Sequence, residues 1–150
     1  MTGILMQLGA VVFRIAPLGL QEIDHTGTAS FAAHQVVGDM PPLEFTGEGP
    51  ETWSIHATLL PEFSARAGAG DGAADLDALH AMRKSGAAQF LMRGDGVPMG
   101  WVVILRVSER SRRLNAAGVG REIEVSIDVK RAQTPDASSA VLLSLMPAGL

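Results

Sequence analysis

Residues 123–130 read Ile-Glu-Val-Ser-Ile-Asp-Val-Lys, the clearest structural signal in the chain. Its apolar and polar side chains alternate without interruption, which is typical of an antiparallel strand with one buried and one solvated face. Residues 51–60 alternate in the same way and predict a second strand of this kind. Two such strands indicate a β-rich domain whose core lies against one face of an antiparallel sheet.

Other stretches predict further strands around these two. Apolar or alternating residues favour strands at 8–15, 30–37, 43–46, 89–92 and 100–107. The Gly-Glu-Gly-Pro sequence of residues 47–50 is a cluster of turn formers. It predicts that the strands before and after it form a hairpin.

One helix is predicted at residues 75–85. Leu76, Leu79 and Met82 form an apolar stripe on one face. An aspartate begins the segment, two basic residues end it, and Gly86 follows as a stop signal. The resulting order, β-β-β-β-α-β-β-β, predicts an α+β fold class with a mostly antiparallel sheet.

The overall composition excludes several classes of protein. The 150 residues are 47% hydrophobic and 19% charged, which is too apolar for a disordered chain. Without cysteine, disulfides and thiolate metal sites are excluded. A net charge of −4 argues against general binding to nucleic-acid phosphates. No run approaches the roughly 18 apolar residues of a membrane span, and the N-terminus is a poor signal peptide, so we expect synthesis in the cytoplasm.

The only dense basic run contains Arg106, Arg110, Arg112 and Arg113. These side chains could line a channel or bind phosphates. A solvated turn or ion pairs between subunits are favoured, because exposed arginines most often serve in such ways.

No motif in the chain predicts catalysis, a metal or a cofactor. The glycine-rich residues 68–72 precede a helix but lack the Gly-Lys-Ser/Thr ending of a phosphate-binding loop, so a flexible connector is favoured. None of the four histidines has a metal-ligand spacing, and no serine lies in a nucleophile elbow. Trp53 and Trp101 fall in apolar strand patterns and predict core or inter-subunit packing.

An apolar patch lies near the C-terminus, after a polar linker. This patch could fold onto its own domain, dock in a neighbour's groove or add a strand to a neighbour's sheet. Docking on another chain is favoured. The candidate partner-docking residues are Val141, Leu142, Leu143, Leu145 and Met146.

Several short pieces, in this order and spacing, resemble one known family across about residues 8–131. They are Leu8-Gly9 leading to Val12-Phe13, Phe45-Thr46-Gly47-Glu48-Gly49, Glu51-Thr52-Trp53-Ser54-Ile55, Leu60-Pro61-Glu62, residues 76–82, Gly100-Trp101-Val102-Val103, Glu109, and Gly120-Arg121-Glu122-Ile123 leading to Lys130-Arg131. The set is similar to the tail protein U family of contractile-tailed phages and related particles. The 67–72 loop and the residues beyond Ala132 lie outside the resemblance.

The resemblance implies a tail-tube-like domain at residues 1–131. The composition of the remaining residues, 132–150, indicates an extended C-terminal tail. The domain would have two packed antiparallel sheets approaching a barrel and one flanking α-helix. A homo-hexameric ring in the virion is implied, initiating the tail tube on the baseplate hub as a template for the tail tube protein. A small LysM-like, peptidoglycan-binding-type adaptor protein would clamp it from outside. A head-proximal terminator ring is the alternative within this class.

Six copies would carry 6 × −4 = −24 charges. Acids facing inward would keep a lumen that conducts DNA from binding phosphates. The candidate lumen-facing residues, on the polar faces of strands, are Glu44, Glu124 and Asp128. A monomeric small-ligand-binding β-barrel remains the alternative from a different class of protein.

Overall fold

Seven strands and two helices make up the part of the chain described by the computed structural model, which covers residues 3–14, 18–68, 70 and 72–134. In chain order they are β1 (Ile4–Leu8), β2 (Val11–Arg14), β3 (Leu18–Ala33), β4 (Leu43–Leu59), α1 (Pro61–Arg66), α2 (Ala73–Ser85), β5 (Gln89–Arg93), β6 (Pro98–Leu114) and β7 (Gly120–Arg131). Some residues for which the sequence predicted a strand, a loop or the C-terminal tail lie outside these ranges: Ile15, Ala69, Asp71 and 135–150.

The strands form one closed barrel in the order β1-β2-β3-β4-β7-β6-β5, with β5 returning to β1. Every pairing is antiparallel except a single parallel bridge between Arg14 and Gly19. The largely antiparallel β fold with few helices is therefore confirmed. The expected division into two packed sheets is not seen, because all seven strands belong to one continuous sheet.

The core fills one end of this barrel. Alternate residues of β4 and β7 point inward, as their periodicity predicted, and Trp53, Ile55, Ile127 and Val129 are at most 1% exposed. They pack with apolar side chains from the shorter strands: Met6, Leu8, Val11, Phe13, Leu18, Leu91 and Val102. Burial of this apolar surface is the main force that closes the barrel.

The helices cover the core from the side. In α2, Leu76 and Leu79 are buried, and Gly86 ends the helix in the left-handed conformation with φ 67°. The helix predicted at 75–85 is confirmed, and it begins two residues earlier. Helix α1 was not predicted, although Pro61 in its first turn and an acid beside it are ordinary start signals. Neither helix in the described ranges is long and apolar enough to cross a membrane.

The hairpin predicted at residues 47–50 is wrong. Strand β4 runs straight through this segment, and its Leu43–Glu51 half pairs with β3. Irregular register at Gly27/Ala29 and Ser30/Phe31 accommodates the glycines and the proline. Proline is tolerated here because no described strand pairs with the other edge of this half of β4. The turn of the hairpin lies instead at residues 34–42, since β3 ends at Ala33 and β4 begins at Leu43. We call residues 27–51 the arm.

Candidate assembly interface

Four neighbouring strands, β3-β4-β7-β6, extend beyond the part of the barrel that β1, β2 and β5 close. Register aligns their residues in rows across the sheet. One row contains Glu22, His56, Ser126 and Ser108, and the next contains Asp24, Ser54, Asp128 and Arg106. Since cross-strand partners share a face, these rows define a polar face opposite the core.

Three acids of this polar face, Asp24, Glu124 and Asp128, lie within 4.0 Å of a basic side chain. Ser54 Oγ donates a hydrogen bond of 2.7 Å to Asp128 Oδ1, and Arg106 Nη2 lies 2.7 Å from Asp128 Oδ2. The hydrogen bond from Ser54, followed by the contacts with Arg106, lowers the pKa of the Asp128 carboxyl. Arg112 Nη2 lies 3.2 Å from Glu124 Oε2. The surface is hydrophilic but locally close to neutral.

A shallow depression lies in the middle of the polar face. Its lining includes His56, Thr58, Ser108, Arg110 and Glu124. His56 Nε2 lies 3.7 Å from Asp24 Oδ2, and its Nδ1 lies 3.2 Å from Ser126 Oγ. In the described ranges no group of three or more His, Asp or Glu side chains could hold a metal ion.

Two edges of this four-stranded section lack a partner among the described strands. On one side, β3 beyond Gly19 pairs only with β4. On the other side, β6 beyond Val102 pairs only with β7, since β5 reaches no further than that residue. Unpaired strand edges of this length are templates for pairing with another chain.

A cluster at the root of the arm fixes where the arm leaves the barrel. His25 stacks on Trp53 with ring centroids 4.9 Å apart and an angle of 6° between the planes. Arg131 lies over the same indole, 5.4 Å from its centroid. Glu51 joins the two, because its carboxylate contacts His25 Nε2 at 2.7 Å and also contacts Arg131 Nε.

The sequence and the fold of this chain both match known proteins. A sequence profile of the Phage P2 GpU family matches residues 9–134. The chain belongs to this family, the tail protein U family of contractile-tailed phages. Comparison with curated proteins returns no match.

One solved structure shares the fold of this family member. A chain from the "Virion of native gene transfer agent (GTA) particle" superposes with a TM-score of 0.51 at 14% identity, covering 88% of this chain and 92% of that one. A chain from the "Tail of empty GTA particle computed with helical refinement, C6 symmetry" gives 0.45 at 13% identity over the same shares. Family membership supports a structural role in a phage-type tail.

The structure separates the residues predicted for the lumen. Glu124 and Asp128 lie together on the polar face of β7. Glu44 does not join them, because it lies on the arm, where its Oε2 is 2.7 Å from His34 Nε2. The candidate docking residues Val141, Leu142, Leu143, Leu145 and Met146 lie outside the described residues.

Sequence reasoning did not find the arm or the unpaired edges. The arginine run lies within strand β6, so the solvated turn is wrong, and ion pairs between subunits stay a prediction. One signal was present in the sequence: residues 18–51 contain no lysine or arginine. Residues 18–51 lack positive charge, whereas strand β6 contains four arginines. This difference indicates that the two segments form surfaces of different charge.

Proposed function

We propose that this tail protein U family member is a subunit of a hexameric ring that initiates the tail tube on the baseplate hub of a contractile phage-type tail. One observation carries the proposal. The β3-β4-β7-β6 section has a polar face opposite the core and an unpaired strand edge on each side. A monomer gains nothing from two such edges, whereas a ring pairs all of them.

Strand direction is compatible with ring closure. Three successive antiparallel pairings separate β3 from β6, so these two strands run in opposite senses. In a ring related by rotation, β6 of one copy therefore meets β3 of the next copy in an antiparallel arrangement. Six copies of four strands would give 6 × 4 = 24 strands, and barrels of roughly 16–18 strands already enclose an aqueous channel.

In this ring the polar face lines the lumen, and Glu124 and Asp128 face the DNA that passes through as transient cargo. Each acid already has an arginine partner, so the wall is well hydrated without a strong field. Such a wall neither binds phosphates nor repels them strongly. Glu44 lies on the arm, and its placement at the lumen stays a prediction.

The ring would have partners on several sides. Its contacts are the baseplate hub below, the first ring of tail tube protein above, and a small LysM-like adaptor protein outside. Val141, Leu142, Leu143, Leu145 and Met146 would dock on one of these partners as an apolar peptide. The ring takes no cofactor and performs no chemistry, since its work is to present a template.

The test is an electron cryomicroscopy map of the assembled particle, together with the mass of the purified chain alone and with tail tube protein. We expect six copies between the hub and the tube, with β3 and β6 of neighbours paired. A ring found at the head-proximal end of the tail would show that this protein is a terminator and not an initiator. A stable monomer that ignores tube protein would overturn the ring and favour a monomeric ligand-binding barrel.

A further inference from the structure

The arm leaves the four-stranded section at one of its ends and not at one of its sides. The last row in which all four strands take part contains Thr26, Thr52, Lys130 and Val103. Beyond this row, residues 43–51 of β4 pair only with β3, and at about 3.3 Å per residue they extend roughly 30 Å. Strands that line a channel tilt by only about 35–45° from its axis, so their ends face along that axis. In the proposed ring the arm therefore points towards the protein above or below it.

Large apolar side chains are exposed along the whole arm. Phe31 and Phe45 form an edge-to-face pair with centroids 5.5 Å apart, and they remain 55% and 59% exposed. At the turn of the arm, Val37 and Met40 are almost fully exposed. No residue between 27 and 51 is buried, so the arm has no core of its own. Exposed apolar groups concentrated on one projecting hairpin indicate a surface that a partner covers.

The arm also carries the whole net charge of the chain. Residues 27–51 contain four acids and no lysine or arginine. The rest of the chain has 16 − 4 = 12 acids and 12 bases, which cancel. Asp39 and Glu48 on the arm have no ion-pair partner in the described ranges. The arm therefore presents one sign of charge together with its apolar side chains.

In the proposed ring the six arms repel one another. Six copies place 6 × −4 = −24 charges at one end of the ring, and the rest of each chain has no net charge to offset them. Self-repulsion of this kind costs free energy that salt reduces only in part. A partner with basic side chains between apolar ones removes this cost, because it offers complementary charge and covers the exposed rings.

The opposite end of the section has the reverse sign of charge. Helix α1 follows β4 there, and the turn between β6 and β7 lies beside it. Residues 60–66 and 111–122 contain four arginines and two glutamates. Arg66 and Arg113 form no ion pair in the described ranges, whereas Arg121 lies 3.4 Å from Glu62. An acidic end and a basic end favour different partners, so the hub and the tube meet different surfaces of the ring.

We infer that the arm docks along the axis of the ring on the first ring of tail tube protein, at a surface with lysines or arginines between apolar side chains. A tube initiator has to offer its template where the tube begins, and the arm prolongs two strands of the section beyond its end. Among the described strands, neither outer edge of this hairpin has a partner, so incoming strands can pair with it. This inference rests on the proposed tube initiation and names the surface and the chemistry of its partner.

A matched pair of charge reversals in the full-length chain tests the contact. Glu48→Lys acts on the arm, and Asp77→Lys makes the same change at an exposed residue of α2, a helix that packs on β6 and β2. In particles assembled with each variant, electron microscopy counts the tubes that start per ring. We expect Glu48→Lys to start at least about tenfold fewer tubes, because it brings like charges together. Asp77→Lys should start as many as the unmodified chain.

A matched pair of aromatic truncations tests the apolar part of the contact. Phe45→Ala removes an exposed ring from the arm, and Phe63→Ala removes one from α1 at the opposite end. Neither ring belongs to the core, so both variants should fold, which thermal unfolding checks. We expect Phe45→Ala to lower the number of tubes per ring several-fold and Phe63→Ala to leave it unchanged.

The outcomes separate the contact from the ring. If Glu48→Lys and Phe45→Ala start as many tubes per ring as their controls, the arm contact is wrong while the ring stands. A control variant that loses as many tubes as its arm counterpart contradicts the contact as well. If the unmodified chain forms no ring between the hub and the tube, the proposed function itself fails.

A photo-reactive amino acid in place of Phe45 identifies the occupant. In assembled particles we expect crosslinks to tail tube protein, within a peptide that contains lysine or arginine, identified by mass spectrometry. Crosslinks to the hub would show that the arm faces the other way along the axis. Crosslinks to another copy of this chain, or to residues 135–150 of the same chain, would show that the arm is covered within the ring. Each of these three results overturns the inference.

Discussion

The two halves of strand β4 differ in side-chain burial and in strand pairing. From Trp53 to Leu59 every second side chain is almost fully buried, and the strand is paired on both edges. From Leu43 to Pro50 nearly all side chains are exposed, and only β3 is paired with the strand. One half is held by the barrel core, whereas the other is held by its hydrogen-bond ladder. The side chains of the barrel half therefore contribute to folding through burial, whereas those of the arm half bury little apolar surface.

Truncating an aromatic residue in each half tests this division most strongly. Trp53→Ala should lower the free energy of unfolding by about 3–5 kcal/mol, because it leaves a cavity beneath the arm root. Phe45→Ala should change it by less than about 0.5 kcal/mol, since that ring is largely exposed. Urea unfolding followed by circular dichroism measures both. Equal losses in the two variants would show that the arm contributes to the core.

Adding one methyl group at two glycines gives the second contrast. A Cβ at Gly94 would overlap the backbone oxygen of Ile4, so Gly94→Ala should cost about 1–3 kcal/mol at the β1–β5 seam. At Gly27, where the arm begins, nothing lies near the added carbon and φ is not positive. Gly27→Ala should be neutral or stabilise by up to about 1 kcal/mol. Thermal unfolding of the two variants compares them, and a cost at Gly27 as large as at Gly94 would contradict the contrast.

The pH dependence of stability gives a third test, on the polar face. Asp128 has a lowered pKa in the folded state, so its contribution to stability is complete above the ordinary value of 3.8 and is lost as the pH falls through the folded pKa. Asp128→Asn should remove about 1 kcal/mol at neutral pH and flatten the acid side of the stability curve. Urea midpoints between neutral and acid pH measure this. If Asp128→Asn keeps the full loss of stability at acid pH, other carboxylates cause that loss.

The smallest effect is expected on the arm. His34 and Glu44 form an ion pair that is more than half exposed at both side chains. Exposed pairs contribute little, so His34→Ala should change the free energy of unfolding by less than about 0.5 kcal/mol. The same urea experiment provides the measurement. A loss above 1 kcal/mol would mean that the arm is a cooperative part of the folded barrel.

Periodicity predicted the buried half of the fold well. The alternation at 123–130 and the helix signals around Leu76 and Leu79 reflect burial in this chain's own core, and both are confirmed. The hairpin turn predicted at residues 47–50 was wrong because the glycines and the proline there are only local turn signals. The long-range pairing of β3 with β4 prevailed over them, and no local pattern reveals that pairing. The closed barrel could not be predicted from periodicity either, since it depends on β1 meeting β5.

The candidate site was predicted in the same uneven way. Alternation placed Glu124 and Asp128 on a polar face, but it could not show that arginines from β6 neutralise them. Glu44 was also placed on the polar face of a strand, because its segment alternates. The structure puts it on the arm, because its half of β4 extends beyond Thr52, where the pairing with β7 begins. The pattern of one strand does not show which strands lie beside it, so these contacts could not be predicted.

The indole at the arm root makes the molecule its own optical probe. Only two tryptophans are present, and Trp101 packs against Phe90 with centroids 5.4 Å apart. With Trp101→Phe, all indole emission would come from Trp53, which is stacked against an imidazole. Displacement of the arm would separate this imidazole from the indole, so the emission of Trp53 would report such a displacement. Ring assembly could thus be followed in solution, in real time and without a label.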